Sequence, residues 1–211
     1  MKISRSSIAI GLFFGGWASP TLAHHAMGGG APTTVVEGLL SGIAHPVIGI
    51  DHFAFLIAMG IAAAFTSRPR IAPLAFVFAT VAGCLLFVAG LRLPGVEIVV
   101  AGSVVAVGAL VVSGRSCKAT PLLTLFAAAG LAHGMAYGGA IVGAESTPLL
   151  AYLAGFAVVQ TAIALTAGAL VRRHADADGV AALQPRLAGA VAAGVGCAIL
   201  VENLEGLLFV V

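Results

Sequence analysis

Residues 71–90 read IAPLAFVFATVAGCLLFVAG and contain no charged side chain. About 20 apolar residues suffice to cross the hydrocarbon core of a bilayer as an α-helix. Uncharged runs recur at 98–114 and 187–201, and the regular alternation of apolar and polar residues that marks a transmembrane β-barrel is absent. The sequence therefore predicts an all-α integral membrane protein.

The composition of the whole chain agrees with this class. Of 211 residues, 60% are hydrophobic and 9% are charged, whereas an average soluble domain has about 25% charged residues. No G-x-x-x-x-G-K-[ST] sequence is present to bind nucleotide phosphates, so the chain has no ATPase of its own. We expect membrane lipid around the protein and no nucleic-acid partner, and the sequence predicts no particular oligomeric state.

The first 23 residues form a separate segment. Lys2 and Arg5 precede a short apolar run at 8–17, and Thr21-Leu22-Ala23 supplies small residues before a cleavage point. This three-part pattern is typical of a secretory signal peptide, and an uncleaved first helix is the alternative. Cleavage after Ala23 would expose a new amino terminus outside the cytoplasm.

The mature chain divides into a Gly-rich extracytoplasmic tail at 24–34 and a transmembrane domain at 35–211. Six spans are predicted, at 47–66, 70–91, 96–114, 119–143, 148–171 and 186–210. With the amino terminus outside, the basic loop residues on the cytoplasmic side are Arg68, Arg70, Arg115, Lys118, Arg172, Arg173 and Arg186. Arg92 falls outside, so the distribution follows the positive-inside rule. Both mature ends then lie outside the inner membrane of a bacterium, and the spans form two groups of three, which suggests two inverted halves.

Costly polar groups are concentrated in His45-Pro46-Val47-Ile48-Gly49-Ile50-Asp51-His52. Ionisable groups inside a membrane tend to mark ion pathways or binding sites. We expect Pro46 in the first turn of a helix, where its missing N–H has no helical partner, and the stretch 35–44 as a half-helix or a re-entrant segment. His45 and His52 would lie on one helix face but roughly 10 Å apart. Either a bend brings them to one ion, or they bind the ion one after the other along its path.

His133 in the fourth span and two carboxylates in the sixth are further candidate ligands, all in the outer half of the membrane by length. Imidazole and carboxylate together suit nickel, cobalt, zinc or iron better than magnesium or calcium. The carboxylate beside the histidines could bind the ion or orient an imidazole. The predicted site for a transported divalent transition metal comprises His45, Asp51, His52, His133, Glu202 and Glu205, with His24 and His25 as a weaker external collector.

Each candidate also has a structural explanation. An intramembrane histidine can hydrogen-bond a carbonyl group and join two helices. Glu202 and Glu205 could reach water if they lie near the membrane surface. Gln160 is expected to join helices, and the three cysteines are expected to be free. A stripe for close helix packing is predicted from Gly130, Gly134 and Gly138.

The run from His45 to His52, an H-x5-D-H pattern, resembles the signature of the HupE/UreJ proteins, which are membrane permeases associated with the supply of nickel and, in some members, cobalt. The order of segments is similar to that of the family over essentially residues 24–211. It comprises a secretory start, the His-Pro helix, a Gly-rich helix with a histidine and the stretch at 152–156. The resemblance implies metal uptake, with His45, Asp51 and His52 handling the ion.

The second motif of the family, roughly H-G-x-A-H-G-x-E, is only partly present. His133 keeps the first histidine, while Tyr137 and Ala140 stand at the positions of the second histidine and the glutamate. Two ligands that the resemblance implies are therefore missing. Glu202 and Glu205 are candidate replacements from another helix, and the choice among nickel, cobalt and zinc stays open.

These features favour a secondary transporter that works by alternating access, without a prosthetic group and without enzymatic activity. Two other classes remain. A zinc-dependent intramembrane hydrolase could use three histidines as ligands, with Asp51 or a glutamate as general base. A metal-binding or assembly subunit would bind the ion without moving it.

We expect the mature chain to begin at His24 and its carboxyl terminus to lie outside. Amino-terminal sequencing of the purified protein checks the cut. Labelling of a Val211→Cys variant by an impermeant thiol reagent checks the topology, with the wild-type chain as the background control for its own cysteines. Protection of Val211→Cys in intact spheroplasts would contradict the six-span topology.

Overall fold

The computed structural model describes residues 30–174 and 179–208. Within these ranges the chain is all-helical. Its helices are α1 (Val35–Ile48), α2 (Ile50–Ala64), α3 (Ile71–Val88), α4 (Val96–Val112), α5 (Ala119–Gly138), α6 (Ser146–His174) and α7 (Leu183–Leu208), and a 3₁₀ turn at Gly179–Ala181 precedes α7. The predicted signal peptide and the pair His24 and His25 lie outside the described residues.

The first predicted span, 47–66, covers α2 and the last residues of α1, and the two helices are separated by a sharp bend. α1 begins with a capping box, in which the Thr34 hydroxyl accepts the Glu37 N–H and the Glu37 carboxylate accepts the Thr34 N–H. The helix continues through Pro46, and α2 starts after Gly49 at 74° to α1. The prediction that Pro46 opens the span is therefore wrong. It lies near the end of α1, where it cannot donate to the carbonyl four residues earlier and weakens the helix before the break.

The other five predicted spans coincide with α3 to α7 to within five residues at each end, and the stretch 35–44 is part of α1. Within the described ranges, α3, α5, α6 and α7 are long and apolar enough to cross a membrane, and the bent pair α1–α2 would be a fifth span. α4 is also apolar but has 17 residues, which corresponds to about 25 Å. This is the architecture of a helical membrane protein.

α1 and α2 both run in the same general direction as α6 and contact it through glycines. A Cβ atom added at Gly42 of α1 would overlap the backbone of Tyr152, and one added at Gly60 of α2 would overlap the backbone of Ala164. The contact residues on α6 occur in the same order along the chain as the glycines that meet them. The bent pair therefore follows α6 from its start toward its end. Glycines at such contacts let two helix backbones approach closely, which is a common way for helices to associate in membranes.

α3 and α5 form a second parallel pair, which uses the predicted glycine stripe. Added Cβ atoms at Gly134 and Gly138 would overlap Thr80 and Phe87, respectively, so the predicted packing role of the stripe is confirmed. α4 and α7 form an antiparallel pair, in which Gly189 meets the end of α4 and Gly196, further along α7, meets its middle.

Polarity is distributed as expected for a protein surrounded by lipid. The most exposed apolar side chains include Phe78, Leu150, Val158 and Val191. Completely buried polar side chains include His52, Thr80, His133 and Gln160. All three cysteines are free, as predicted. The interior is therefore the place to look for chemistry.

Replacing Gly60 by Val should lower the thermal midpoint of the detergent-solubilised protein, because the new side chain separates α2 from α6. Overpacking of about 1–3 kcal/mol corresponds to roughly 2–12 °C for a chain of this size, which size-exclusion chromatography after heating can measure. Gly102→Val is the matched control, since no atom lies within 4 Å of an added Cβ there. Equal stability of both variants would contradict the close contact.

Candidate functional site

The break at Gly49 brings His45 of α1 and His52 of α2 together in the interior. Their ring centroids are 5.8 Å apart, whereas a continuous helix would separate the residues by roughly 10 Å along its axis. Both side chains are buried, and His52 is completely so. Of the two sequence-based alternatives, the structure has the bend, although at Gly49 and not at Pro46. Glycine is needed at the bend because an added Cβ would lie 2.6 Å from Cδ2 of His52.

Asp51 lies in the first turn of α2 and is buried next to the histidines. Its Oδ1 accepts the backbone N–H of His52 at 2.8 Å. The amino-terminal end of a helix carries a partial positive charge, which favours a carboxylate at this position. The start of α2 thus offers a position suited to a carboxylate, directly before His52.

His133 of α5 extends this group. Its Nδ1 lies 2.8 Å from Nδ1 of His52. Its Nε2 lies 2.9 Å from Oγ of Ser103 on α4, and that hydroxyl donates to the Val100 carbonyl at 2.7 Å. A single hydrogen-bond chain therefore connects α4, α5 and α2 through the centre of the protein.

Two tyrosines complete the cluster around His45. The Tyr152 hydroxyl of α6 lies 2.9 Å from Nδ1 of His45 and donates to the Tyr137 carbonyl at 3.0 Å. The Tyr137 ring lies beside both histidines, with its centroid 4.8 Å from that of His45 and 4.3 Å from that of His52. Tyr137, at which the sequence departs from the second family motif, therefore belongs to the cluster.

Aromatic and amide groups close the cluster on its other sides. The rings of Phe55 and Phe76 pack against His133 at centroid distances of 4.5 and 5.3 Å. The Gln160 side-chain amide lies 3.0 Å from the Thr80 hydroxyl oxygen, in a polar contact that links α6 to α3. The predicted role of Gln160 in joining helices is confirmed by this contact.

The structure does not bring every predicted ligand to the cluster. Glu202 and Glu205 are exposed on α7, whereas the three histidines are buried. Among residues 30–174 and 179–208, no group of three or more His, Cys, Asp or Glu side chains is arranged so that it could hold a metal ion. Two of the imidazoles instead bond to each other, and His133 and His45 also bond to hydroxyl groups. The predicted ligands of α1, α2 and α5 thus form a hydrogen-bonded cluster and not a preformed coordination shell.

Three members of the cluster, Ser103, Tyr137 and Tyr152, were not predicted from the sequence. Ser103 gave a signal that could have identified it, because it is a lone polar side chain in the middle of the apolar helix α4. Tyr152 lies in a stretch that resembles the family, but nothing in its local pattern indicates that its hydroxyl reaches His45. His45 and Tyr152 are 107 positions apart along the chain, and they meet only because α1 packs against α6.

Comparisons with known proteins point to one family. The family model described as HupE / UreJ protein matches residues 12–199. A curated relative, "Protein HupE" of Rhizobium leguminosarum bv. viciae, is 30% identical over 187 residues, which cover 87% of this chain and 93% of the relative. No solved structure is significantly similar. With most of its length matched by the family model and by this relative, the chain belongs to the HupE/UreJ family.

Proposed function

We propose that this protein is a secondary transporter that takes up a divalent transition metal ion, with nickel or cobalt as the favoured cargo, across the bacterial inner membrane. Family membership supports metal handling in general, and the long apolar helices support a membrane location. In this proposal the bent pair α1–α2 is the first span, α3 to α7 are the other five, and both mature ends lie outside.

The directions of helix packing support six spans. If consecutive spans alternate in direction, spans one and five are parallel, spans two and four are parallel, and spans three and six are antiparallel. The glycine contacts of α2 with α6, of α3 with α5 and of α4 with α7 have these three directions. The inverted relation of the two halves stays a prediction.

The observation that carries the proposal is the burial of two histidines and an aspartate at a broken helix. His45 lies in the last turn of α1, and Asp51 and His52 lie in the first turn of α2. Helices broken within a membrane present the carbonyl groups of one end and the positive end of the next helix, which is how many secondary transporters bind ions. Imidazole nitrogen and carboxylate oxygen are suitable donors for a transition-metal dication that has lost its water.

Transport through this cluster requires the helices to move. His52 and His133 have no exposed surface, so the described conformation is closed to both sides. An ion would enter when the helices separate, and Gly49, which joins the two halves of the broken span, is the point at which the first span can open. Alternating access then presents the same donors to the outside and to the cytoplasm in turn.

Liposomes that contain the purified protein and a fluorescent metal indicator distinguish this function from the two alternatives. A transporter accumulates nickel or cobalt. A metal-binding or assembly subunit binds the ion in fixed stoichiometry without flux. An intramembrane hydrolase would retain one zinc ion through purification and would cleave a lipid or a peptide.

His52→Ala and Asp51→Ala should each abolish flux while the protein is still produced and inserted. Loss of one donor leaves a dehydrated dication short of compensation in a poorly solvating environment, so high external metal should not restore uptake. The liposome assay measures the effect. His174→Ala is the matched control, because this histidine is exposed at the end of α6. Wild-type flux through a well-expressed His52→Ala protein would leave this histidine with a packing role only.

Glu202→Gln and Glu205→Gln should reduce uptake far less than His52→Ala does. Both carboxylates are exposed on the last turns of α7, where they can attract a cation but do not share the buried cluster. The same liposome assay, run over a range of metal concentrations, should show a loss that high metal overcomes. A loss as severe as that of His52→Ala would indicate that the glutamates replace the ligands missing at Tyr137 and Ala140.

A further inference from the structure

The chain of hydrogen bonds that ends at Ser103 determines which ring nitrogen of His133 carries the proton. A carbonyl oxygen can only accept a hydrogen bond. The Ser103 hydroxyl, 2.7 Å from the Val100 carbonyl oxygen, therefore donates its one proton to that oxygen. Nε2 of His133, 2.9 Å from the same hydroxyl oxygen, is then the donor of that contact. In a neutral imidazole the other ring nitrogen is an acceptor.

The tautomer of His133 determines the tautomer of His52. Nδ1 of His133 can only accept, and Nδ1 of His52 lies 2.8 Å from it. His52 is therefore the donor and carries its proton on Nδ1. The lone pair of a neutral His52 is then on Nε2.

An independent set of bonds gives the same result for His45. The Tyr152 hydroxyl donates its one proton to the Tyr137 carbonyl oxygen at 3.0 Å. The contact of 2.9 Å between the Tyr152 oxygen and Nδ1 of His45 then has His45 as its donor. A neutral His45 thus also carries its proton on Nδ1 and its lone pair on Nε2.

We propose that Ser103, His133 and Tyr152 are positioning residues that hold His52 and His45 as Nδ1-protonated tautomers, so that both imidazoles offer Nε2 to the transported ion. The identity of that ion rests on the function proposed above, whereas the tautomers do not depend on transport. His133, a predicted ligand, uses both ring nitrogens in these bonds and supports His52 instead of binding the ion.

The hydrogen bonds that Nδ1 of His52 and Nδ1 of His45 donate should raise the affinity for the ion. A hydrogen bond from the second ring nitrogen of a ligating histidine fixes its orientation and raises its basicity, and loss of such a partner weakens metal affinity by about 10–100-fold. We therefore expect Ser103→Ala to weaken binding of Co²⁺ by this factor, and Tyr152→Phe, which removes only the hydroxyl, to do the same through His45. Ser103→Thr, which keeps a hydroxyl, should retain most of the affinity.

Two measurements test the proposal on the full-length mature protein in lipid nanodiscs. ¹⁵N spectra of histidine-labelled, metal-free protein report the tautomer of each ring, with assignments from single histidine substitutions. Equilibrium titration with Co²⁺ alone reports affinity. Wild-type protein should show proton-bearing Nδ1 on His52 and His45 and proton-bearing Nε2 on His133, and Ser103→Ala should disturb the His133 and His52 signals.

Ser113→Ala is the matched control, because Ser113 is also at α4 and its hydroxyl also donates to a carbonyl three residues earlier, at 2.6 Å, but its hydrogen bonds involve no histidine. Proton-bearing Nε2 on His52 in the wild type would overturn the proposal. So would unchanged spectra and affinity in Ser103→Ala, or an equal loss of affinity in Ser113→Ala. The expected tautomers in a protein that binds Co²⁺ but shows no flux would instead refute transport and uphold the positioning role.

Discussion

The break between α1 and α2 is the constraint from which the arrangement of the buried histidines follows. An unbroken helix would hold His45 and His52 two turns apart, roughly 10 Å along its axis, and the bend of 74° reduces the separation of their rings to 5.8 Å. The bend is held from outside, because both helices contact the backbone of α6 through glycines. α6 in turn carries Tyr152, so the helix that fixes the bend also supplies a hydrogen-bond partner for His45.

The hydrogen bonds of the cluster hold its imidazoles in place through Nδ1 of His45 and Nδ1 of His52. Interhelical hydrogen bonds in membranes contribute about 0.6–2 kcal/mol each. In the proposed function, motion of the backbone at Gly49 admits the ion to this closed cluster of imidazoles and hydroxyl groups.

The sequence predicted what depends on composition and on local spacing. Uncharged runs gave α3 to α7 to within a few residues, and the spacing of glycines gave the packing face of α5. The position of the break was missed because Pro46 is equally acceptable at the start of a helix and near its end, and only tertiary contacts decide. Tyr152 was missed because long-range packing, which no local pattern encodes, brings it to His45. Ser103 did have a local signal, its lone polar position within the apolar helix α4.

α6 has 29 residues, a length of about 43 Å, whereas the hydrocarbon core of a bilayer is about 30 Å thick. Such a helix tilts or extends into the headgroup layer, and the basic side chains of its last turn, Arg172, Arg173 and His174, suit the headgroup layer. The length of α6 therefore exceeds what the hydrocarbon core requires. Because α1 and α2 both pack on this helix, a change in bilayer thickness that tilted α6 would move the two helices that carry the histidine pair.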